Sequence, residues 1–385
     1  MSFGQARKGA SQYSLPRCTG ASHLVLSLRA QLEAPTGAAQ AKANQVDEGH
    51  SFMNGVSNVN TPIAVFAYNR PLHLDKALIA LGKCARLDRC KIFIYCDGQK
   101  DERSAQAIRD TRILAHEWAI RLAATVIERS INLGAGRSVS QGVTELCQQF
   151  GRVIVVEDDV VVSPDFVRYM LEALDKYGDD ERVYQISGYQ YPINNEQDCG
   201  CFFLPFPASW GWATWQRAWQ HFDWDMAGAS EALRRWRTRK RFDLGGSYPY
   251  SRALYAQLAG DIDAWDIQWY WTVFKAHGLA LYPAISLTCN IGFDGSGTHY
   301  RRAETDNWLP QQDLEMWAGS PRYPFEHGFP DSVCVDESAH QRITRFLWGR
   351  ALSRRTAWAP LPLRVLARRV RERLDVLRRV STDLL

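Results

Sequence analysis

Between residues 61 and 160 the chain alternates short apolar runs with segments of helical period, and this alternation restricts its fold more than any other feature. Ile63–Tyr68 reads IAVFAY, Lys91–Cys96 reads KIFIYC, Thr125–Glu128 reads TVIE and Arg152–Val156 reads RVIVV. Each run is short and rich in β-branched or aromatic residues, as buried strands are. Between them, Leu72–Ala85, Ala105–Ala123 and Arg137–Phe150 have the pattern of amphipathic helices. Strands alternating with helices at this interval predict βαβ units on a parallel sheet. Such sheets bind ligands beyond the carboxyl ends of their strands. The residues there are Tyr68-Asn69-Arg70-Pro71, Asp97-Gly98, Asn132–Arg137 and Glu157–Asp159, all polar or glycine-rich.

Ser163-Pro164-Asp165 is expected to open a further helix, with Ser163 as its cap and Phe166, Met170, Leu174 and Tyr177 as its apolar face. After Gly178 the pattern is irregular and aromatic to about residue 225. Nine of the fourteen tryptophans lie between Trp210 and Trp271, which marks this region as different in kind from the first. A basic helix is predicted over about Glu231–Phe242 and another over about Asp266–His277, followed by short strands at Ala280–Tyr282 and Ile285–Thr288. A glycine-rich loop, Asn290–His299, comes next, and 301–348 shows little regular structure. In 349–385, Leu363, Leu366, Val370, Leu374 and Leu377 recur at helical spacing among arginines, so a basic amphipathic helix is expected there. Residues 1–60, rich in Ala, Gly, Ser, Gln and Asn, read as a disordered leader.

Charge is divided unevenly. Residues 350–385 hold ten arginines against three acids, a surplus of seven, while the whole chain carries only +4. The body is therefore mildly acidic and the tail basic, which argues against nucleic acid as a partner of the whole chain. The nine cysteines show neither CxxC pairs nor zinc spacing. They are expected to be buried, inert thiols in a reducing compartment, with Cys96, Cys147 and Cys289 placed in apolar strands. No run has the length needed to span a bilayer, and Leu24–Leu28 is too short for a signal peptide. The expected location is the cytoplasm. The sequence leaves both Met1 and Met53 open as start codons.

Three acids in succession, Glu157-Asp158-Asp159, straight after a buried strand are costly without a positive partner. A divalent cation carrying a diphosphate suits them, because the protein then supplies only one or two carboxylates. Asp97 is placed to accept from a ribose or a base. The loop from Asn132 to Arg137 has the glycines for close backbone approach, and Arg137 has the charge for a phosphate. It is neither a Walker loop nor GxGxxG. Trp210 and Trp212, in SWGWATW, offer flat faces suited to sugar rings, although at least half of the local tryptophans are expected to pack a core. Among Asp261, Asp263 and Asp266, Asp266 is the candidate general base: Trp265 and Trp269 flank it and would partly desolvate it. Asp263 stays open as the alternative, as does a helix-capping role for either. His299 ends the glycine loop and is an acceptable manganese ligand. The run Arg234–Arg241 is expected to be a solvated helix face, with an anionic-acceptor site as the sharper reading.

The order of these motifs resembles the GT-A glycosyltransferases. AYNRP, a DG strand end, NLGAGRS and VVEDDVVVSPDF are similar to bacterial family-2-type sugar transferases and to the N-acetylglucosaminyltransferase I family. Trp265-Asp266-Ile267-Gln268-Trp269 and the loop Ile291–His299 resemble two later motifs of that second family, the first departing from it at Ile267. The likeness covers about residues 61–300. It implies an α/β, Rossmann-like mixed sheet flanked by helices, with a nucleotide-sugar half at 61–160 and an acceptor half at 161–300. It implies that Asp159 contacts Mn2+ or Mg2+, that Glu157 and Asp158 support the nucleotide and sugar, that Asp97 holds ribose or base, and that Arg70 or Arg137 faces the donor. Asp266 would be the base, and the loop to His299 would close over the diphosphate.

The expected activity is an inverting transfer from a nucleotide diphosphate sugar, a UDP-sugar first, to a hydroxyl of a glycan or lipid-linked glycan in cell-surface polysaccharide synthesis. The segment 361–380 is expected to lie on an anionic membrane surface at the inner face, or else to pack on the domain or another protein. The alternatives are a sugar nucleotidyltransferase and a non-catalytic sugar-binding protein on the same fold.

Overall fold

The computed structural model describes residues 61–193, 200–294 and 328–356, with side chains through 349. The leader, His299 and the segment 361–380 lie outside the described residues.

The first half is built as the alternation requires. In chain order it runs β1 (Thr61–Ala67), α1 (Pro71–Leu81), β2 (Cys90–Cys96), α2 (Ala105–Leu122), β3 (Thr125–Glu128), α3 (Gly134–Phe150) and β4 (Arg152–Glu157). These strands lie parallel in the order β3-β2-β1-β4, with Val65 of β1 opposite Ile94 on one side and Val156 on the other. Every residue of β1 is buried because both faces are covered. Ile63 and Val65 share one core layer with Leu74 and Leu78 of α1, while Ala64 and Phe66 share the opposite layer with Val139 and Val143 of α3. A strand buried on both faces has no reason to alternate polar and apolar residues, hence IAVFA.

The second half extends the same sheet: β5 (Val160–Val162), α4 (Phe166–Lys176), β6 (Val183–Ser187), β7 (Phe202–Leu204), β8 (Trp212–Trp215), α5 (Gln216–Trp219), α6 (Ala229–Arg234), α7 (Trp236–Phe242), α8 (Tyr250–Ala259), α9 (Asp266–Lys275), β9 (Leu279–Tyr282), β10 (Thr288–Asn290) and α10 (Glu337–Thr356). The large sheet continues β4-β8-β6-β9-β7, with β8 antiparallel to both β4 and β6. β5 and β10 form a separate antiparallel pair in which Val160 faces Asn290. The fold is thus a mixed α/β sheet flanked by helices.

Several expectations change here. The Ser163 side chain does not cap α4; its carbonyl accepts from Phe166 N at 3.1 Å instead. The basic helix is two helices, broken where Arg235 leaves helical geometry at ψ 114°. The expected strand at Ile285–Thr288 begins only at Thr288. The irregular stretch after Gly178 holds three strands, and the stretch expected to lack regular structure contains most of α10, capped by Asp336 through Ala339 N at 2.8 Å. Cys147 lies on α3 and not on a strand. The seven described cysteines are all free thiols, five of them buried, but Cys334 is exposed. Among the described residues no helix is long and apolar enough to cross a membrane.

Candidate active site at the carboxyl ends of the strands

Pairing between β1 and β4 ends at Phe66 and Glu157, and Asp158 N still donates to the Phe66 carbonyl at 2.9 Å. This fixes the acidic triplet at the edge of the parallel half. Arg70, just ahead of α1, reaches across to it. Its guanidinium pairs with both Asp158 oxygens, Nε at 3.4 Å from Oδ2 and Nη2 on Oδ1, and its Nη1 lies 2.9 Å from Asp159 Oδ2. Burial by itself lowers the Arg70 guanidinium, but the charges of Asp158 and Asp159 outweigh it and raise the group above its ordinary value. Burial raises the Asp158 carboxyl and Arg70 pulls it back, leaving it at about 6. Glu157 is pushed well above the ordinary range, first by desolvation and then by the charges of Asp159, Asp158 and Asp266.

The loop after β10 covers this corner. Ile291 N donates to the Asp159 carbonyl at 2.8 Å, and a Cβ on Gly292 would lie 2.2 Å from Asp159 Oδ2, so only glycine permits the approach. Among the described residues no group of three or more His, Cys, Asp or Glu is arranged to hold a metal ion. Glu157 and Asp159 nevertheless fit a hard divalent cation. Both line the cavity described below, both are oxygen donors, and the repulsion that raises Glu157 is what a cation relieves. Such cations take one or two protein carboxylates and complete their shell from phosphate and water.

Asp97, at the end of β2, is turned inward. Oδ1 accepts from Gly98 N (2.8 Å) and Leu133 N (2.9 Å), and Oδ2 accepts from Gly134 N and Asn132 Nδ2, both at 3.0 Å. A carboxylate has about four acceptor positions, and all are taken. The expected ribose contact therefore gives way to a positioning one: Asp97 holds the loop that opens α3. Asn132 is likewise committed, to Asp97 and to the Gly98 carbonyl at 3.0 Å. Gly98 is obligatory, since a Cβ there would lie 2.1 Å from the Ile131 backbone. Arg137 is exposed and rests on Trp224, 4.4 Å from the ring centre.

A cavity of about 460 Å³ opens from the triplet toward the second half. Arg70, Glu157 and Asp159 line it together with Asp263 and Asp266, and Glu157 feels the charge of Asp266. Asp266 begins α9, is exposed, and accepts from Ile267 N at 2.8 Å. Trp265 and Trp269 do not desolvate it: both are buried, Trp265 stacked on Trp212 at 4.8 Å and Trp269 donating to Gln185 Oε1 at 2.8 Å. Asp263 lies against Gly134 and Gly136 at the start of α3; a Cβ on either would come within 2.1 or 2.5 Å of its carboxylate. Tyr189, Tyr191, Trp210, Tyr248, Tyr250 and Tyr270 line the same cavity, with Leu347 of α10.

The structure thus brings Arg70, Glu157, Asp159, Asp266 and Trp210 to one cavity. Asp97, Asn132, Arg137 and Asp158 do not line it, and Asp158 acts there through Arg70. Trp212 is a correction. It is wholly buried among Trp219, Trp265 and Trp269, so it is core and cannot face an acceptor. The tyrosine wall was missed. Its signal is a tyrosine-x-tyrosine pair used twice, Tyr189-Gln190-Tyr191 in a loop and Tyr248-Pro249-Tyr250 at the entry to α8.

No family model matches the chain, and no curated protein sequence matches it. Solved structures do. TarS from S. aureus aligns at 14% identity over 37% of this chain and 24% of that one, with a TM-score of 0.27. TarS 1–349 aligns at 12% over 41% and 47%, with a TM-score of 0.31. The chain therefore spans less than half of either. The mannosyltransferase PcManGT from Pyrobaculum calidifontis, in complex with GDP-Man and Mn2+, aligns at 13% over 83% of this chain and 80% of its own, with a TM-score of 0.37. With TM-scores this low, none of the three fixes the role of any residue here.

Proposed function

We propose that this chain is a metal-dependent GT-A glycosyltransferase that moves a hexosyl or N-acetylhexosaminyl unit, with inversion, from a nucleotide diphosphate sugar to a glycan hydroxyl. The observation that carries this reading is the convergence of Arg70, Glu157, Asp159 and Asp266 on one cavity that is also lined by aromatic rings. The carboxylates suit a cation-bound diphosphate, and the flat apolar faces suit a sugar ring.

Glu157 and Asp159 would hold Mn2+ or Mg2+, which when bound neutralises charge on the leaving diphosphate. Arg70, pinned by Asp158, adds a fixed positive charge beside that group. Asp266 takes the proton of the acceptor hydroxyl. The freed oxygen bonds to the anomeric carbon, and the bond from that carbon to the diphosphate oxygen breaks, releasing the nucleoside diphosphate. Trp210 and the tyrosines orient the acceptor. A UDP-sugar donor, a surface-polysaccharide product, a lipid-linked acceptor and a membrane contact through 361–380 complete the reading, with His299 as a further metal ligand; these last two segments lie outside the described residues.

The test is transfer from a panel of nucleotide-sugars with manganese present. Asp159→Ala is expected to lower turnover by about a hundred- to a thousandfold, the scale of losing electrostatic stabilisation at the leaving group. Turnover at the wild-type rate in that variant, with the fold intact by thermal melt, removes the metal assignment.

A further inference from the structure

The reaction above leaves the basic run at Arg234–Arg241 without a role. In the structure its inner side is fixed and its outer side is bare. Phe242, wholly buried, stacks on Tyr270 at 4.4 Å, and its carbonyl accepts the Tyr270 hydroxyl at 2.8 Å. Leu233 of α6 is buried in the same cluster. The outer side carries Arg235, Arg237, Arg239 and Lys240, all exposed. Arg234 pairs with Glu231 at 3.0 Å, but among the described residues no carboxylate pairs with those four. In their midst Trp236 stands 60% exposed, against 39% for Trp348 and 38% for Tyr255, with Arg237 and Lys240 5.8 and 5.9 Å from its ring centre.

We propose that the outer face of α6 and α7 is a docking surface for an anionic lipid bilayer. Four unpaired cations on one short stretch repel one another and gain most from a plane of negative charge. An exposed indole does not serve that purpose; it costs apolar surface in water, and it settles at the headgroup level of a membrane, where ring and N–H are both satisfied. Cations flanking an exposed tryptophan therefore match a lipid surface better than a soluble polyanion, which offers charge but no apolar layer. The patch lies on the outside of a cavity wall: Tyr270, held to α7 through the Phe242 carbonyl, and Tyr248, six residues beyond Phe242, both line the cavity. Docking would set the aromatic wall of the cavity close to the bilayer, where a lipid-linked acceptor sits. The surface is independent of the segment 361–380 and of the reaction itself, since binding is read without turnover.

Sedimentation of the full chain with vesicles of phosphatidylcholine alone, and of phosphatidylcholine with phosphatidylglycerol, tests this. Wild type is expected to bind only the anionic vesicles and to be released by salt. Reversing three charges (Arg235→Glu, Arg237→Glu and Lys240→Glu together) should weaken partitioning by at least a factor of about a hundred, from roughly fivefold for each cation lost near an anionic surface. Trp236→Ala should weaken it less and keep the salt dependence. All four side chains are exposed, so the melting temperature is the fold control. Wild-type binding by either variant overturns the proposal, as does failure of the wild type to bind. It is equally overturned if the charge-reversed variant binds vesicles normally but no longer transfers to a soluble anionic glycan, for then the patch belongs to the acceptor.

Discussion

The all-parallel and the mixed half of the sheet bring different materials to the same cavity. The parallel half contributes Arg70, Glu157 and Asp159 through rigid means: strand ends, a four-bond anchor at Asp97, and a guanidinium fork at Arg70. The mixed half contributes Asp263, Asp266 and the rings, from loops through Tyr189, Tyr191, Trp210 and Tyr248 and from helices through Tyr250 of α8 and Tyr270 of α9. The difference has a physical cause. A half-buried charge set out of place by an ångström loses most of its partner's field, so its backbone must be held on every side. An aromatic wall tolerates such a shift, because stacking and apolar burial vary slowly with position. Substitutions among the charged residues should therefore act on rate or on local stability, and those among the aromatic residues on acceptor affinity.

The largest effect is expected at Asp266, the proposed base. Asp266→Asn keeps an oxygen for Ile267 N and so leaves α9 undisturbed, yet removes the base. Transfer should fall by about a hundred- to ten-thousandfold with donor affinity unchanged, as measured by steady-state kinetics and donor titration. A larger fall in Asp263→Asn would transfer the role to Asp263 and break the division, since Asp263 packs on the α3 loop.

Asp97→Asn sharpens it. The substituted amide turns a donor toward N–H groups that need an acceptor, so the loop at 132–134 loses part of its anchor. Denaturant unfolding should show a loss of about 2–3 kcal/mol, the scale of hydrogen bonds to a charged group. A change below about half a kcal/mol would mean that other contacts hold the loop.

The charged residues were also the more legible in sequence. IAVFAY, KIFIYC and RVIVV announce strands by composition, and the polar residues after them mark their ends, so Arg70, Glu157 and Asp159 could be named. Even so, sequence could not say which way Asp97 points; three of its four partners come from a loop more than thirty residues away. The aromatic half was opaque because its strands are three to five residues long and carry tryptophans as readily as valines. Nothing in SWGWATW distinguishes Trp212, wholly buried, from Trp210 two residues earlier at the cavity edge. On a strand they share a face by parity, and only the end of β8 separates them. α10 was missed for a similar reason: its buried positions, Ala339, Ile343 and Leu347, are few among polar residues.

On the aromatic wall, Trp210 stands edge-on to Tyr189 at 4.7 Å and to Phe293 at 5.5 Å. Trp210→Phe keeps a ring for both neighbours but removes the larger face and the indole N–H. The acceptor KM should rise roughly tenfold, the equivalent of about 1.4 kcal/mol, while the donor KM holds. If the donor KM rises instead, the roles are not divided as described.

The smallest effect concerns the helix that brings Leu347 to the cavity. His340 of α10 packs beside Phe206, with ring centres 6.1 Å apart, and desolvation lowers its imidazole below its ordinary value, Glu337 opposing in part. A lowered histidine means that the folded state binds fewer protons than the unfolded chain just below the ordinary value of 6.5. Its contribution to stability is therefore complete above that value and is lost as pH falls through it toward the folded value. His340→Gln cannot titrate, so the drop in melting temperature between about pH 7 and about pH 5.5 should be shallower in the variant than in the wild type. Because His340 is partly exposed, the difference should be no more than a few degrees. An equal drop in both would mean that α10 meets the aromatic residues without desolvating this ring, and that the wall at Leu347 is looser than the packing of Ile343 and Ala339 implies.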